Sequence, residues 1–477
     1  MVPAATQDPP KTALLTKVRR EHMYDKIPRA NVTKEMVMDM ANEQAVEFVD
    51  LQFTDIYGVL KAVSIPVHKL SDAITNNVWF DGSSIGGFSR VIESDMYLKP
   101  DLNTFAVLPW TKNGEDVTAR LICDVFLPDG TPFDGDPRGI LKRQLEEAKK
   151  LGFKLNTGPE LEFFLLKTDE NGEPTGMLPN DNAGYFDLAV DKAHEVRRHM
   201  AFALDEMGME VETLHHEVAE GQHEICFKYA DALTTADNAI TLKLTVKKIA
   251  QMYGLHATFM PKPIFGVAGT GMHVHQSLMG IEDGENKFYD PDGVYGMSKL
   301  AQCYIAGQIK HIKAINALTN PTVNSYKRLV VGYEAPVNAA WGQHNRSALI
   351  RVPRVNPTQA KYASRCELRC PDPSANPYLA FAAMLAAGLD GIRKEMECPD
   401  PIEDNIWELT PKEMKEKGVG MVASTLKDAL KALRDNEVIR EALGEHFFNE
   451  FYIGKMKEWD SYRTYVTQWE LDRYLHC

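Results

Sequence analysis

The stretch Gly158-Pro159-Glu160-Leu161-Glu162-Phe163-Phe164-Leu165-Leu166 decides the reading of this chain. Aromatic and aliphatic residues behind a Gly-Pro step predict a strand. Side chains on a strand alternate faces, so Glu160 and Glu162 project together while Leu161, Phe163 and Leu165 cover the opposite side. A lone Glu-x-Glu pair is ordinarily a solvated face, but three later segments repeat the pattern. The segment 215–227 adds Glu217 and Glu224, and Gly269 to Ser277 sets His273 and His275 on one strand face. Arg365 to Cys370 lines one face with Arg365, Glu367 and Arg369, and the other with Cys366, Leu368 and Cys370. If these segments share a sheet, their polar faces enclose a carboxylate-rich cavity. Crowded carboxylates repel one another unless cations bind them. Hard oxygen donors with an occasional imidazole suit Mg²⁺ or Mn²⁺ better than zinc. No close Cys/His pairing of the zinc-finger type occurs, and Cys366 and Cys370 fall together as buried structural thiols would.

At 477 residues the chain is long enough for two domains and a large core. A net charge of −14, from 53 basic and 67 acidic residues, argues against nucleic acid as the main partner. Anionic substrates would then need a local basic patch, which Arg328, Arg346, Arg351 and Arg369 can supply. No apolar run approaches the roughly 20 residues that cross a bilayer, so no membrane association is expected. Seven scattered cysteines fit a reducing cytoplasm better than a disulfide scaffold.

Residues 1–30 are Pro-rich and charged, and read as a disordered extension or an interface arm, with a targeting segment disfavoured by the acidic Asp8, Glu21 and Asp25. A helix is expected over Thr33 to Asn42, then strands within 46–65 turned at Tyr57-Gly58, and further strands near 104–109 and 119–126. Pro128-Asp129-Gly130-Thr131-Pro132 is the best domain boundary, giving a small domain over 31–130 and a large one over 131–477. Pro137 opens a helix running to Leu151. The clearest long helices are Ala236 to Tyr253 and Pro377 to Met396, and the tail from Ser424 to Cys477 reads as mostly helical.

Taken together, these segments resemble glutamine synthetase of the bacterial and archaeal type I family. The resemblance runs from about Val46 to near the C-terminus. It is carried by Phe80-Asp81-Gly82-Ser83-Ser84 followed by Glu93-Ser94-Asp95-Met96, and by Lys262-Pro263-Ile264-Phe265-Gly266-Val267-Ala268-Gly269-Thr270-Gly271-Met272-His273. It also includes Asn320-Pro321-Thr322-Val323-Asn324-Ser325-Tyr326-Lys327-Arg328, Gly332-Tyr333-Glu334-Ala335-Pro336 and Asn376-Pro377-Tyr378. The fold it implies is α+β, with a small N-terminal β-grasp domain and a large catalytic domain whose curved antiparallel sheet forms a barrel-like funnel. It implies a dodecamer of two hexameric rings with active sites between subunits. The implied reaction is ATP-dependent ligation of ammonia to L-glutamate through γ-glutamyl phosphate, with two or three Mg²⁺ or Mn²⁺ ions per site.

By resemblance, Glu162, Glu217 and Glu224 hold one metal, and Glu160, His273 and Glu367 a second. Gly269, Arg328, Glu334, Arg346 and Arg369 bind glutamate; Glu212, His275, Ser277, Arg346 and Arg351 bind ATP. Asp81, Ser84, Tyr185 and Glu217 make the ammonium pocket, with Asp81 taking the proton and Glu334 closing over the site on a loop. Two departures stand out. Ala268 replaces the usual Asn beside the substrate glycine, removing a side-chain hydrogen bond to glutamate. Trp407 falls where adenylylated relatives carry their modified Tyr, and their insert is missing. The branch implied is the feedback-regulated I-alpha type, with Arg90 as a regulatory residue. Two rivals remain: a γ-glutamyl-amine ligase acting on a polyamine or ethanolamine, which would lose Asp-Gly-Ser-Ser, and an inactive structural relative, which would lose metal ligands or Glu334.

Overall fold

The computed structural model describes residues 30–87, 95–112, 114, 116–331, 335–345, 347–404 and 406–477. The N-terminal extension before residue 30, Arg90, Glu334 and Arg346 lie outside the described residues.

The first expected helix is α1 (Lys34–Glu43), which Thr33 caps by accepting from the backbone of Met36. Five strands follow: β1 (Phe48–Thr54), β2 (Leu60–Pro66), β3 (Val78–Asp81), β4 (Asp95–Val107) and β5 (Thr118–Phe126). They pair in the order β2-β1-β5-β4-β3, with β1 and β5 parallel and the other neighbours antiparallel. The β1–β2 turn uses Gly58 at φ +81°, as the Tyr-Gly step leads one to expect. A helix, α2 (Leu70–Asn76), packs beside the sheet and buries Leu70 and Ala73.

Beyond Pro132 the chain enters the large domain through α3 (Pro137–Lys150), with Asp136 as cap and Pro137 in the first turn. Its sheet is built from β6 (Phe153–Thr168), β7 (Pro174–Pro179), β8 (Val211–His216), β9 (Gln222–Phe227), β10 (Ala230–Asp231), β11 (Leu255–Thr258) and β12 (Met272–Gly280). It is completed by β13 (Asn338–Gly342), β14 (Ala348–Arg351), β15 (Cys366–Leu368) and β16 (Gly420–Met421). The main path runs β16-β13-β14-β15-β12-β6-β9-β8 and curls into an open half-barrel. The long strand β6 is its spine, also pairing β7, β10 and β11 along its length. Helices α4 (His194–Glu206), α5 (Ala232–Met252) and α6 (Lys299–Thr319) pack against it, and the helix Pro377–Arg393 packs on α3, α5 and α6. The fully buried Leu161, Phe163 and Leu165 join the main core.

Two elements differ from expectation. The segment 215–227 is a hairpin rather than one strand: β8 ends at His216, the turn Glu217 to Gly221 follows, and β9 resumes at Gln222. Helix α5 begins four residues earlier than its apolar pattern suggests, because Asp231 caps it by accepting from the backbone of Thr234. Among the described residues no helix is long and apolar enough to cross a membrane, and all seven cysteines are free.

The two sheets are joined by Arg138, 3% exposed on α3. Its guanidinium reaches Asp101 on β4 and Asp124 on β5, each at 2.7 Å, and Asp237 on α5 at 2.9 Å. Tyr378 donates to Asp237 at 2.7 Å. A buried guanidinium with three carboxylate partners satisfies its donors in a way a lone pair would not.

Candidate active site

The site follows from strand register. Antiparallel pairing sets His273 of β12 opposite Glu160 of β6. Glu224 of β9 stands opposite Glu162. Glu367 of β15 faces His275 on one side and Arg351 of β14 on the other. Directly opposed residues share a face, so five strands deliver these side chains into the concave side of one sheet.

Two subgroups form. His273 Nδ1 lies 3.4 Å from Glu160 and 3.6 Å from Glu367. Glu367, 2% exposed, also accepts from Arg351 at 3.2 Å and from Arg369 at 3.1 Å. His275 Nε2 lies 2.9 Å from Glu160, and its Nδ1 accepts from Arg365 at 3.2 Å. Glu160, His275 and Glu367 bring ligand atoms within 4.8 Å of one another, but both nitrogens of His275 are engaged, and His273 also faces the two carboxylates. In the second subgroup, His215, Glu217 and Glu224 bring ligand atoms within 4.8 Å of one another. Glu162 stands beside them, accepting from Gln222 Nε2 at 2.7 Å and the backbone of Gly271 at 2.9 Å.

The electrostatics divide the same way. Burial opposes ionisation of Glu160, but hydrogen bonds from His273 and His275 hold it well below the usual carboxylate range. Burial likewise opposes ionisation of Glu367, and His273, His275 and Arg369 outweigh it. Burial raises Glu162, with the charge of Glu217 adding to it. Glu224 is pushed up to about 9, first by burial and then by the charges of Glu160 and Glu162. These carboxylates repel without a cation between them, and a donor set dominated by carboxylate oxygens with a few imidazoles fits divalent Mg²⁺ or Mn²⁺.

Arg328 is buried beside this cluster and donates to the carbonyls of Cys370 at 2.8 Å and Pro371 at 3.2 Å. Glycines bring backbone close to it: a Cβ on Gly271 would lie 2.6 Å from Arg328 Nη2, and one on Gly269 would lie 2.3 Å from the carbonyl of Pro261. The Gly269 carbonyl accepts from Gln222 at 3.1 Å. Gly269 and Gly271 precede β12 rather than belonging to it. Ala268 packs with Ile264 and Val267 against Phe164, Leu166 and Ala219. Glu212 lies on β8 and acts electrostatically on Arg365, while Ser277 lies on β12 two residues beyond His275.

The aromatic ring of Tyr185 stacks on Phe186, with centroids 4.0 Å apart, and meets His215 edge-on at 5.8 Å. Asp81 and Ser84 are carried by the other sheet, at the end of its edge strand β3. There Asp81 is exposed and accepts from the backbone of Ser83 at 2.8 Å. Sequence reasoning gave no role to three residues. His215 lies 2.8 Å from Glu217, Gln222 fixes Glu162, and Arg365 fixes His275. His215 carried a signal, standing two residues before Glu217; Gln222 carried none.

Comparison with known proteins gives a consistent picture. The family model described as glutamine synthetase, catalytic domain, matches residues 134–474, and that of the glutamine synthetase β-grasp domain matches residues 45–128. The glutamine synthetase of Clostridium saccharobutylicum is 54% identical, with 94% of this chain and 99% of that protein covered. That of Thermus thermophilus is also 54% identical, over 93% of this chain and 99% of the relative. Among solved structures, a GmaS–ADP complex superposes with a TM-score of 0.83 at 34% identity, covering 92% of this chain and 99% of the other.

Proposed function

The chain belongs to the glutamine synthetase family, and from that premise we infer how its residues ligate ammonia to L-glutamate with ATP, giving glutamine, ADP and phosphate. The observation that carries the reading is the carboxylate cluster bordered by guanidiniums. Glu160, Glu162, Glu224 and Glu367 converge with His273, and Arg351 and Arg369 flank them. A γ-carboxylate oxygen of glutamate attacks the γ-phosphorus of ATP and ADP leaves. Ammonia then attacks the acyl carbon and phosphate leaves. Such chemistry asks the protein for positioning and charge compensation more than for covalent work.

The family uses divalent metal, and we assign Glu162, Glu217 and Glu224 to one ion and Glu160, His273 and Glu367 to a second, each Mg²⁺ or Mn²⁺. Bound there, the cations offset phosphate and carboxylate charge. Arg328 and Arg369 hold glutamate's carboxylates through planar guanidiniums, with Gly269, Glu334 and Arg346 completing that site. Arg346 and Arg351 stabilise the transferred phosphoryl group, while Glu212, His275 and Ser277 contact the nucleotide. Asp81, Ser84, Tyr185 and Glu217 bind ammonium, and Asp81 accepts its proton. We assign a small domain to 31–130 and a catalytic domain to 131–477.

We place the enzyme in the cytoplasm as a dodecamer whose sites form between subunits. In support, the C-terminal helix Gln468–Tyr474 buries none of its residues, and Tyr465, Val466, Trp469 and Leu475 are 60–73% exposed. A surface of that kind calls for another copy. Regulation by feedback through Arg90, rather than by adenylylation, follows from the I-alpha resemblance.

The test is an ATP- and glutamate-dependent assay with ammonia, hydroxylamine, putrescine and ethanolamine as acceptors. Ammonia should be preferred over both amines, and a preference for putrescine would replace this reading with an amine ligase. Asp81→Asn should lose more activity with ammonia than with hydroxylamine, because ammonium must shed a proton before attack whereas hydroxylamine is already a neutral nucleophile near pH 7. An unchanged ratio of the two activities would remove Asp81 from the acceptor site.

A further inference from the structure

Behind the turn that carries Glu217 lies a buried polar network that the mechanism above does not use. It contains Asp181, Asp191, Arg197, His216 and His223. Asp181, His216 and His223 have ligand atoms within 4.8 Å of one another and are all buried, a spacing that a metal site would also show. Hydrogen bonds already occupy these ligand atoms. His216 Nε2 lies 3.0 Å from a carboxylate oxygen of Asp181, and Nδ1 lies 2.7 Å from the carbonyl oxygen of Glu217. Both ring nitrogens of His216 are thus engaged by neighbouring oxygens. His223 accepts at Nδ1 from Arg197 at 2.9 Å, and that guanidinium is held by Asp191 on two bonds. The lone pair of His223 is therefore taken as well.

What the network does join is two separate stretches of chain. Asp181 accepts from the backbone of Gly221, in the β8–β9 turn, at 3.1 Å. It also accepts from the backbone of Ala183 at 3.4 Å and of Lys192 at 3.1 Å, in the connection from β7 to α4. That connection carries Tyr185. Its next residue, Phe186, adopts φ +62°, a backbone that bulky residues hold only when their surroundings enforce it. The Phe186 N–H donates to the carbonyl of His216 at 3.2 Å. One residue, His216, thus grips the Glu217 turn with Nδ1, the Tyr185 connection through Asp181 with Nε2, and the strained Phe186 with its carbonyl.

We propose that His216 is a positioning residue whose two ring nitrogens clamp the Tyr185 connection to the Glu217 turn, fixing the aromatic and carboxylate walls of the acceptor pocket relative to each other. This rests on the assignment of Glu217 to metal and ammonium and of Tyr185 to ammonium. Groups that orient metal ligands in this way typically alter metal affinity or activity by about 10–100-fold when replaced.

The test uses the full-length assembled enzyme. His216→Asn and His216→Gln each retain an amide donor but span only one of the two acceptors. Steady-state kinetics would give KM for ammonia, glutamate and ATP, and electron paramagnetic resonance would follow Mn²⁺ binding. Both variants should raise KM for ammonia and weaken one class of Mn²⁺ site about tenfold or more, with KM for ATP within about twofold of wild type. Asp181→Asn, which keeps the size of the side chain, should show the same pattern and carries the test if the His216 variants do not assemble. A uniform fall in kcat and melting temperature with every KM and the Mn²⁺ isotherm unchanged would make the network merely structural and overturn the proposal. Glu217→Ala separates the two levels. If it binds Mn²⁺ as wild type does, the assignment of Glu217 falls and the inference falls with it. If it loses a site while the His216 and Asp181 variants keep theirs, the inference alone falls.

Discussion

Glu367 meets three basic side chains at once: Arg351 on one oxygen, Arg369 on the other, and His273 at 3.6 Å. Replacing it by Ala leaves two guanidiniums without this counter-charge and removes an oxygen donor from the His273 group. Leaving a buried charge without its partner costs more than losing the pair as a whole. The expected result is a fall in turnover of at least about 100-fold with an unchanged far-ultraviolet circular dichroism spectrum. Wild-type turnover in Glu367→Ala would remove it from the site. Residues of this kind were legible in the sequence because alternation along a strand is a local property. Glu160 with Glu162, and Glu367 with Arg365 and Arg369, reveal a shared face without knowledge of any partner strand. Gln222 and the hydrogen-bonding role of Arg365 were not legible, since each acts on a residue far away in sequence and becomes visible only once register is known.

At the scale of elements, the clearest loss of legibility is the hairpin at 215–227. Its hydrophobic pattern continues through Val218 and Ala219, so nothing local announces that the strand stops at His216 apart from Gly221, which sits at φ +68°. The turn matters because it frees Glu217 from the strand face and lets it approach Glu224 from the side. Helix α5 shows a different element-scale effect. Lys243 lies on its inner side and donates to the carbonyl of Ala375 at 2.9 Å. Burial, with the nearby charge of Lys247, pushes it down to about 7 from its ordinary 10.5. Between those two pH values the folded chain holds fewer protons than the unfolded one, so stability rises with pH across the window and declines as pH falls toward 7. The slope is at most about 1.4 kcal/mol per pH unit, and less where water reaches the amine. Lys243→Met removes the titrating group. Its melting temperature should exceed that of wild type most near pH 7, and the gap should narrow toward pH 10. A gap constant across that range would contradict a depressed Lys243.

At the scale of the molecule, the two sheets are fixed to each other by Arg138 and its three carboxylates. Arg138→Met would leave Asp101 and Asp237 without their guanidinium and Asp124 with Lys142 alone, a loss of about 3–5 kcal/mol by comparison with other broken buried pairs. The melting temperature should drop sharply, and an unchanged value would mean that the joint contributes little. A rigid joint has a consequence for the active site. Asp81 is displayed on the edge strand β3 of the small sheet, whereas Glu160 lies inside the large one. With each small domain held firmly on its own catalytic domain, the proposed intersubunit site has Asp81 serve a neighbouring subunit's cluster across a head-to-tail contact. Asp81→Ala and Glu160→Ala chains, each inactive alone, would then complement one another when unfolded together and reassembled in equal amounts. With random assortment around a heterologous ring, about a quarter of the seams pair an intact Asp81 with an intact Glu160, so about a quarter of wild-type activity should return. If both residues instead serve a site within one subunit, no seam gains an intact pair. Mixed oligomers, verified by a mass tag on one of the two chains, would then stay as inactive as their parents.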